Sequence, residues 1–586
     1  MTIDRALNLI SRNGIVVTGN PLNWAGDITC SGSLVKDGPG KLIISGTAGI
    51  GGGTAVSGGN LAVNGHLTSN VTVDKGGTLS GSGNVTGDIT NNGGTIKPGN
   101  SIGHLTADGT FTLNSGTLEM EVDAAGDSDR ISVIGPGHKV MINAGTLQVV
   151  SHPGIYTPGT TNTLITTEAG GTVTFGDVAG GVGFLTPEVS LDRQHIYVTL
   201  ALADNAFQSA GATLNQRAVG GALDAIAASG EVDGLITTVA NVPMEQGSAA
   251  FQTLSGQPYA DLGTVNLRAS QLFLDAVGRQ MSVARGGTSD GDRASLAGPG
   301  TDVLAGFSAW MSGIGSTGDI SGNANASGLD YSLGGTAFGL DYRLNPSLLL
   351  GVAGGYVAGS QSVDGFGGDS DIDTLSVAAY ASFMQGAFCA DALAGYANAS
   401  NSLQRSIGGP VLAPGIAYGN TNAGQFLGQI ETGYAFDFDT PFKSSIIPFG
   451  RLQVVSIDQG GFTETGASLY NLSLASQSIT SVRTTFGADF NASVDLGNGL
   501  PLDLGLRLGW MHEFGDTGQS MTAAFAFAPG DDLKVFGAMP ECDSALVGFS
   551  ATARIGDDAA LFASYDAQLG IGGDNQQLWG GFKLTW

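Results

Sequence analysis

The chain has 586 residues, a formal net charge of −28 and only 13% charged residues, and it lacks the clustered Lys and Arg that a nucleic-acid partner requires. Hydrophobic residues reach 42%, too many for global disorder, and the 96 glycines follow no collagen period. Cys30, Cys389 and Cys542 stand far apart without CxxC spacing, which indicates neither a disulfide framework nor a zinc site, and no cofactor or metal is expected.

The acidity suits a secreted or surface chain, and low cysteine use is compatible with export. No run of 18 apolar residues is present, which excludes a transmembrane helix but not alternating barrel strands. Residues 1–20 read as an N-terminal extension. They contain no apolar h-region, so a native product that begins upstream of Met1, with a signal peptide, is expected.

From residue 21 to residue 122 short apolar pairs stand between glycines, as in GGNLAV, GGTLSG and GGTIKPG. The second residue of each unit is a glycine, at 59, 77, 94, 116 and 145, giving steps of 18, 17, 22 and 29. Such steps predict coils of a β-solenoid over 21–203, because Leu61 and Val63, or Leu79 and Val85, bury a core only when coils stack. The longer β runs of 115–203 read as its terminal, capping part.

Catalytic constellations are weak here. GDSD at 126–129 is similar to an esterase nucleophile motif, but helical periodicity is missing around it, so Ser128 is expected in a turn. His66, His104, His138, His152, His195 and His512 never adopt HExxH or another ligand spacing. GIGGG at 49–53 is not GxGxxG, and RTX-type calcium repeats are missing.

The run GSGNVTGDITNNGGTIKPGNSIGHLTADGTFTLNSGTLEMEVD, with SDRISV, AGTLQVV and HIYVTL after it, resembles the passenger end and autochaperone region of classical, monomeric (type Va) autotransporters. PGNSIG at 98–103 is its most specific piece.

Residues 204–300 change to helical spacing, with helices expected at 208–228, 232–242 and 251–285. The phrase FQTLSGQPYADLGTVNLRASQLFLDAVGRQM resembles the segment before the autotransporter barrel, and the resemblance implies a pore helix carrying Arg268 and Arg279. Arg268, Arg279 and Arg285 outnumber Asp261 and Asp275, so a helix held partly by charge is expected. Residues 285–300 read as a flexible hinge.

Residues 301–586 hold twelve strand-like runs, an even count that suits an outer-membrane barrel. Residues 502, 504, 506, 508 and 510 alternate as Leu, Leu, Leu, Leu and Trp against Asp503, Gly505, Arg507 and Gly509. The same period turns Asp341, Glu431, Asp503 and Asp566 toward the lumen. Long polar loops are expected at 401–422, 458–477 and 515–542, with tight turns at 345–346 and 556–557. This region resembles the autotransporter translocator, whose C-terminal signal matches Gly581, Leu584 and Trp586, while Trp579 stands where a polar residue is usual.

The expected fold is therefore all-β: a right-handed β-helix or solenoid, a short helical connector and a 12-stranded transmembrane barrel. The resemblance implies an outer-membrane protein whose barrel displays its own passenger on the cell surface, with the lipid bilayer and the barrel assembly machinery as partners and a monomeric state. A non-enzymatic, adhesive or structural passenger that binds a host or cell-surface ligand is expected. An esterase or protease passenger and a porin or transporter are the alternatives. The only adjacent asparagines, Asn91 and Asn92, lie outside the pore segment, so one uncut chain of 59.0 kDa is expected.

Overall fold

A computed structural model describes residues 1–586 except 10–12, 231–233, 285–305, 369, 410–411, 439–442, 496–500, 516–519 and 556–557. The expected hinge, Arg285 and the turn at 556–557 lie outside the described residues. Two compact units form: residues 1–206 with 230–246, and residues 207–229 with 247–586. The expected connector at 204–300 is thus divided between both units rather than standing as a segment of its own.

In the first unit, parallel strands stack coil upon coil. Leu61 pairs with Leu42 on one side and Leu79 on the other, and the column continues through Ile96, Leu118 and Leu147. These six side chains are fully buried. A second sheet stacks Ala48, Leu67, Val85, Ala107 and Val133 in the same way. Each coil contributes a few apolar side chains, and only the stack closes a core.

The glycine spacing read from the sequence is this register: Gly59 pairs with Gly77, and Thr78, Thr95, Thr117 and Thr146 follow one another just after the later glycines. Gly116 shows why the residue is needed. Its φ is +90°, and a Cβ there would lie 2.2 Å from the Gly94 carbonyl oxygen.

Residues 1–20 are not an extension, because Thr2–Ile3, Leu7–Leu9 and Asn13–Val16 pair in parallel with the next coil. At the other end the pattern changes. Thr160–Thr167, His195–Leu202 and Leu185–Leu191 pair antiparallel in that order.

Among the buried polar residues, Lys36 and Asn91 stand in the core. Lys36 is fully buried and its Nζ donates to the carbonyls of Asp37, Gly38 and Gly58 at 3.0, 2.9 and 2.8 Å. Asn91, in the column between Val73 and Leu113, accepts from the Gly94 N–H at 2.8 Å and donates to the Gly94 carbonyl at 3.0 Å. Both side chains satisfy backbone groups that a tight corner leaves unpaired.

Five helices are described: α1 (Ala206–Ser209), α2 (Leu214–Ala228), α3 (Gly234–Ala240), α4 (Gly247–Leu254) and α5 (Gln257–Ala284). Thr213 and Gln216 form a reciprocal capping box that starts α2. The single helix expected at 251–285 is instead α4 and α5, with Ser255 and Gly256 between them. The α3 end joins the solenoid: Asn241 exchanges two hydrogen bonds with the Tyr156 backbone at 2.9 and 2.8 Å.

In the second unit twelve antiparallel strands close on themselves. They are β1 (Phe307–Ile320), β2 (Leu329–Asn345), β3 (Leu348–Val363), β4 (Ser370–Gln385), β5 (Phe388–Ile407), β6 (Gly415–Tyr434), β7 (Ser444–Gln459), β8 (Gln477–Asp495), β9 (Pro501–Glu513), β10 (Asp543–Arg554), β11 (Ala559–Gly570) and β12 (Gly573–Thr585). Each pairs with its neighbour, and β12 pairs with β1. Outward residues such as Phe338, Val352, Leu375, Phe426, Phe549 and Leu578 are exposed apolar side chains, while alternate residues point into the lumen. In water this surface would be a severe liability, whereas in hydrocarbon it is the solvated face. No described helix is long and apolar enough to cross a membrane.

Where a long loop was expected at 401–422, β5 and β6 run on to Ile407 and from Gly415. Each has 20 residues, about twice what a tilted barrel strand needs to span a bilayer. The two other long connections are partly folded: Phe462–Thr463, Leu472–Leu474, Ser520–Phe525 and Leu533–Phe536 make a four-stranded sheet at the long-loop end of the barrel.

Candidate functional site

Helix α5 has 28 residues, about 42 Å of helix, and occupies the barrel lumen. Side chains on all its faces are buried although many are polar: Thr264, Asn266 and Ser270 have no exposure, and Arg268 only 6%. Its N-terminal end lies at the long-loop end of the barrel. There Gln257 exchanges hydrogen bonds with the Ser327 backbone at 2.9 Å each, and Asp261 Oδ1 accepts the Ala538 N–H at 2.6 Å. Gln361 Nε2 donates to the Pro258 carbonyl at 2.6 Å, and midway Ser270 Oγ meets Gln425 Oε1 at 2.6 Å. The C-terminal turns reach the short-turn end, where Arg279, Ser282 and Val283 line a cavity of about 170 Å³ with Lys583 and Thr585.

Among the described residues charge holds the helix at two places. Arg279 forms an ion pair with Asp566 and lies over the Trp579 ring, 5.8 Å from its centroid. Asp275 accepts from Arg451 at 2.8 Å and Gln453 at 3.0 Å; Arg451 also binds Glu431 at 2.7 Å, and Arg507 bridges Glu431 and Asp489.

Of the four carboxylates the sequence turns inward, Asp566 meets the helix itself and Glu431 reaches it through Arg451. Asp503 pairs with Arg554 at 3.1 Å and Asp341 with Lys583 at 3.6 Å, both within the barrel wall. Among the described residues Arg268 forms no ion pair with a carboxylate, and it bonds Gln271 and Gln568 at 3.3 Å. The contact missed from sequence is Asp275 with Arg451, because attention to excess arginine on the helix hides the reverse pairing. Arg451, like Arg507, sits at an inward period-two position, which was the available signal.

The four-stranded sheet covers the helix at the long-loop end. Leu472, Phe525 and Val535 are fully buried, and a Cβ on Gly256 would stand 3.2 Å from Leu472 Cδ1. Asn215 of α2 pairs with the Phe536 backbone at 2.8 and 2.7 Å. Arg405 ties this cap to the wall: it binds Glu464 at 2.9 and 2.6 Å, the Thr253 carbonyl at 2.6 Å and the Tyr470 carbonyl at 2.9 Å, while Glu464 accepts the Leu472 N–H at 2.7 Å. Both charged side chains have no exposure.

On β12, Leu578, Phe582, Leu584 and Trp586 face outward with 61, 44, 41 and 56% exposure, and Trp579 faces the lumen at 2%. Trp579 is therefore a ring partner of Arg279. Gly581 lies where a Cβ would come 2.1 Å from the Met311 carbonyl oxygen of β1.

In the solenoid, Ser128 Oγ donates to the Thr163 carbonyl at 3.1 Å, and Asp129 accepts from the N–H groups of Gly103 and Glu121 at 2.8 and 2.9 Å. Burial pushes the Asp129 carboxyl up to about 6 against the pull of those donors. His104 Nε2 lies 2.6 Å from Ser132 Oγ on an exposed face. Among the described residues no group of three His, Cys, Asp or Glu could hold a metal ion.

An exposed apolar belt around a closed even-stranded barrel, with a helix of the same chain threaded through it, defines an outer-membrane translocator. Residues 309–566 match the family model described as autotransporter beta-domain. The barrel is therefore an autotransporter β-domain, and it places the chain in the outer membrane.

Two curated relatives from Serratia marcescens, each named extracellular serine protease, are 26% identical over 96% of this chain and 56% of their own length, and 25% identical over 99% and 59%. The chain thus spans little more than half the length of the curated relatives it matches. Among solved structures, the β-domain of the Bordetella autotransporter BrkA is 18% identical, covering 48% of this chain and 100% of that one with a TM-score of 0.37. The translocator domain of NalP from Neisseria meningitidis is 16% identical, covering 55% and 98% with a TM-score of 0.40. The expectation of a non-enzymatic protein is overturned by the two protease relatives, which match nearly the whole chain. Coil-forming spacing shows how residues 1–203 fold, and it carries no information on the chemistry of a longer protein.

Proposed function

We propose that the chain exports and anchors an extracellular protein of the serine-protease kind, with the solenoid as its stalk and the barrel as the channel that α5 closes afterwards. The observation that carries the export reading is α5 itself: its N-terminal end lies at the long-loop end, its C-terminal end at the short-turn end, and the chain runs through its own barrel. The match of nearly the whole of this chain to parts of two extracellular serine proteases supports the class of passenger.

Surface proteolysis of intact cells tests export, and labelling of the same cells with a fluorophosphonate probe tests the passenger class. Digestion of residues 1–203 with the barrel left intact is expected, together with a labelled serine in the native gene product. A solenoid that is protected until the outer membrane is broken refutes the export reading. A surface-exposed but unlabelled product refutes the protease class alone.

A further inference from the structure

A second, smaller cavity lies near the long-loop end of the lumen, between α5 and β8, and it is unusually rich in donors. Thr264 and Arg268, one turn apart on α5, face Arg483 of β8, with Glu513 and Glu541 among the other lining residues. Thr264, Arg268 and Arg483 are 0, 6 and 7% exposed. Yet Thr264 Oγ1, Arg268 Nε and Arg483 Nε have no hydrogen-bond partner among the described residues.

The acids do not balance the two guanidinium groups. Glu513 stands 3.6 Å from Arg483 Nε, but its oxygens already accept from Ser481 Oγ at 2.6 Å, the Val482 N–H at 2.8 Å and the Gly515 N–H at 2.9 Å. Glu541 is exposed to solvent. Asp275 acts on Arg483 from further off while it accepts from Arg451 and Gln453, so Glu513 is the one buried carboxylate lining the cavity beside two guanidinium groups and three idle donors, an arrangement that costs free energy unless a further acceptor enters. The cavity measures about 20 Å³, room for a single particle the size of a water molecule and too small for a phosphate or a carboxylate. Water would satisfy the donors without adding a negative charge.

We propose that this cavity binds one small monovalent anion of chloride size, held by Arg268 and Thr264 of the pore helix and Arg483 of the wall. The anion then joins α5 to β8 where the protein supplies no direct ion pair, and the seating of the pore helix depends on it.

The test uses the full chain in detergent, with thermal unfolding followed by tryptophan fluorescence while sodium gluconate is replaced by sodium chloride at constant ionic strength. Gluconate is too large for the cavity. The midpoint is expected to rise and saturate with chloride, and the rise to disappear in Arg268→Gln combined with Thr264→Val. Coincident chloride and gluconate series overturn the proposal, as does a chloride effect that the double variant retains in full. If that variant does not fold, bromide decides: crystals of the unaltered chain grown in bromide must show an anomalous peak within hydrogen-bond distance of Arg268 Nε and Arg483 Nε, and a cavity without one overturns it. A peak with coincident titrations marks an adventitious ion only and also overturns it.

Discussion

Replacing Arg405 with alanine is expected to loosen the loop-end cap without opening the barrel wall. Arg405 and Glu464 have no exposure, and the guanidinium also holds the Thr253 and Tyr470 carbonyls. Alanine leaves the Glu464 carboxylate buried without its guanidinium partner, along with two stranded carbonyls. Removing one member of a buried ion pair costs about 3–5 kcal/mol. If that cost falls on local opening of the cap, amide exchange at Leu472 accelerates by roughly two to three and a half orders of magnitude. Hydrogen exchange read by mass spectrometry on peptides covering 462–474 measures this, with peptides of β2 to β4 as the internal reference. Arg405→Ala with Glu464→Gln should exchange more slowly than Arg405→Ala alone, because the buried unpaired charge is gone. Unchanged exchange at Leu472 in a barrel of normal stability would refute the latch.

Other expectations concern the pore and the solenoid. A chain lacking residues 251–285 should conduct more in planar bilayers than the intact one, and Arg268→Glu with Arg279→Glu should move toward that value; equal conductance in all three would place no barrier in the helix. Leu79→Ala, at the middle of the Leu61–Leu79–Ile96 column, should cost the solenoid about 2–5 kcal/mol in denaturant unfolding. Asp129 titrates near 6 when folded against about 4 unfolded, so its contribution to stability is fully present below pH 4 and is lost as pH rises through 6. Wild-type solenoid should therefore gain up to about 3 kcal/mol from this group on going from pH 8 to pH 4, and Asp129→Ala should flatten that part of the profile.

Much of the architecture was legible because both halves are periodic. A glycine every 17 to 29 residues marks each coil, and strict alternation marks each barrel strand, since one residue of slip would turn Arg507 into the bilayer. What escaped was structure without a period. Residues 1–20 form a coil from strands of two to four residues, too short to show alternation. The cap sheet is assembled from two distant loops: Phe462–Thr463 pairs with Leu472–Leu474, and Leu472–Leu474 pairs in turn with Ser520–Phe525, about fifty residues further on. The helix charges were legible in number and not in partner: Arg279 and Asp566 could be placed on facing surfaces, but which arginine remains without a carboxylate depends on the rotation of α5 in the pore.

The seam between β1 and β12 has a mechanical consequence. Its last hydrogen bonds, from the Gly306 N–H to the Trp586 carbonyl and from the Trp586 N–H to the Phe307 carbonyl, use the final residue of the chain. The ring is closed around a segment of the same polypeptide, and α5 continues into folded structure through α4 at one end and leads to the first barrel strand at the other. The molecule is a noncovalent lasso: α5 cannot leave sideways, and sliding out requires the cap to unfold or the seam to part. Retention of the plug is then governed by the lifetime of that seam, so variants such as Gly581→Val should release it by opening the ring even with every contact of the helix intact.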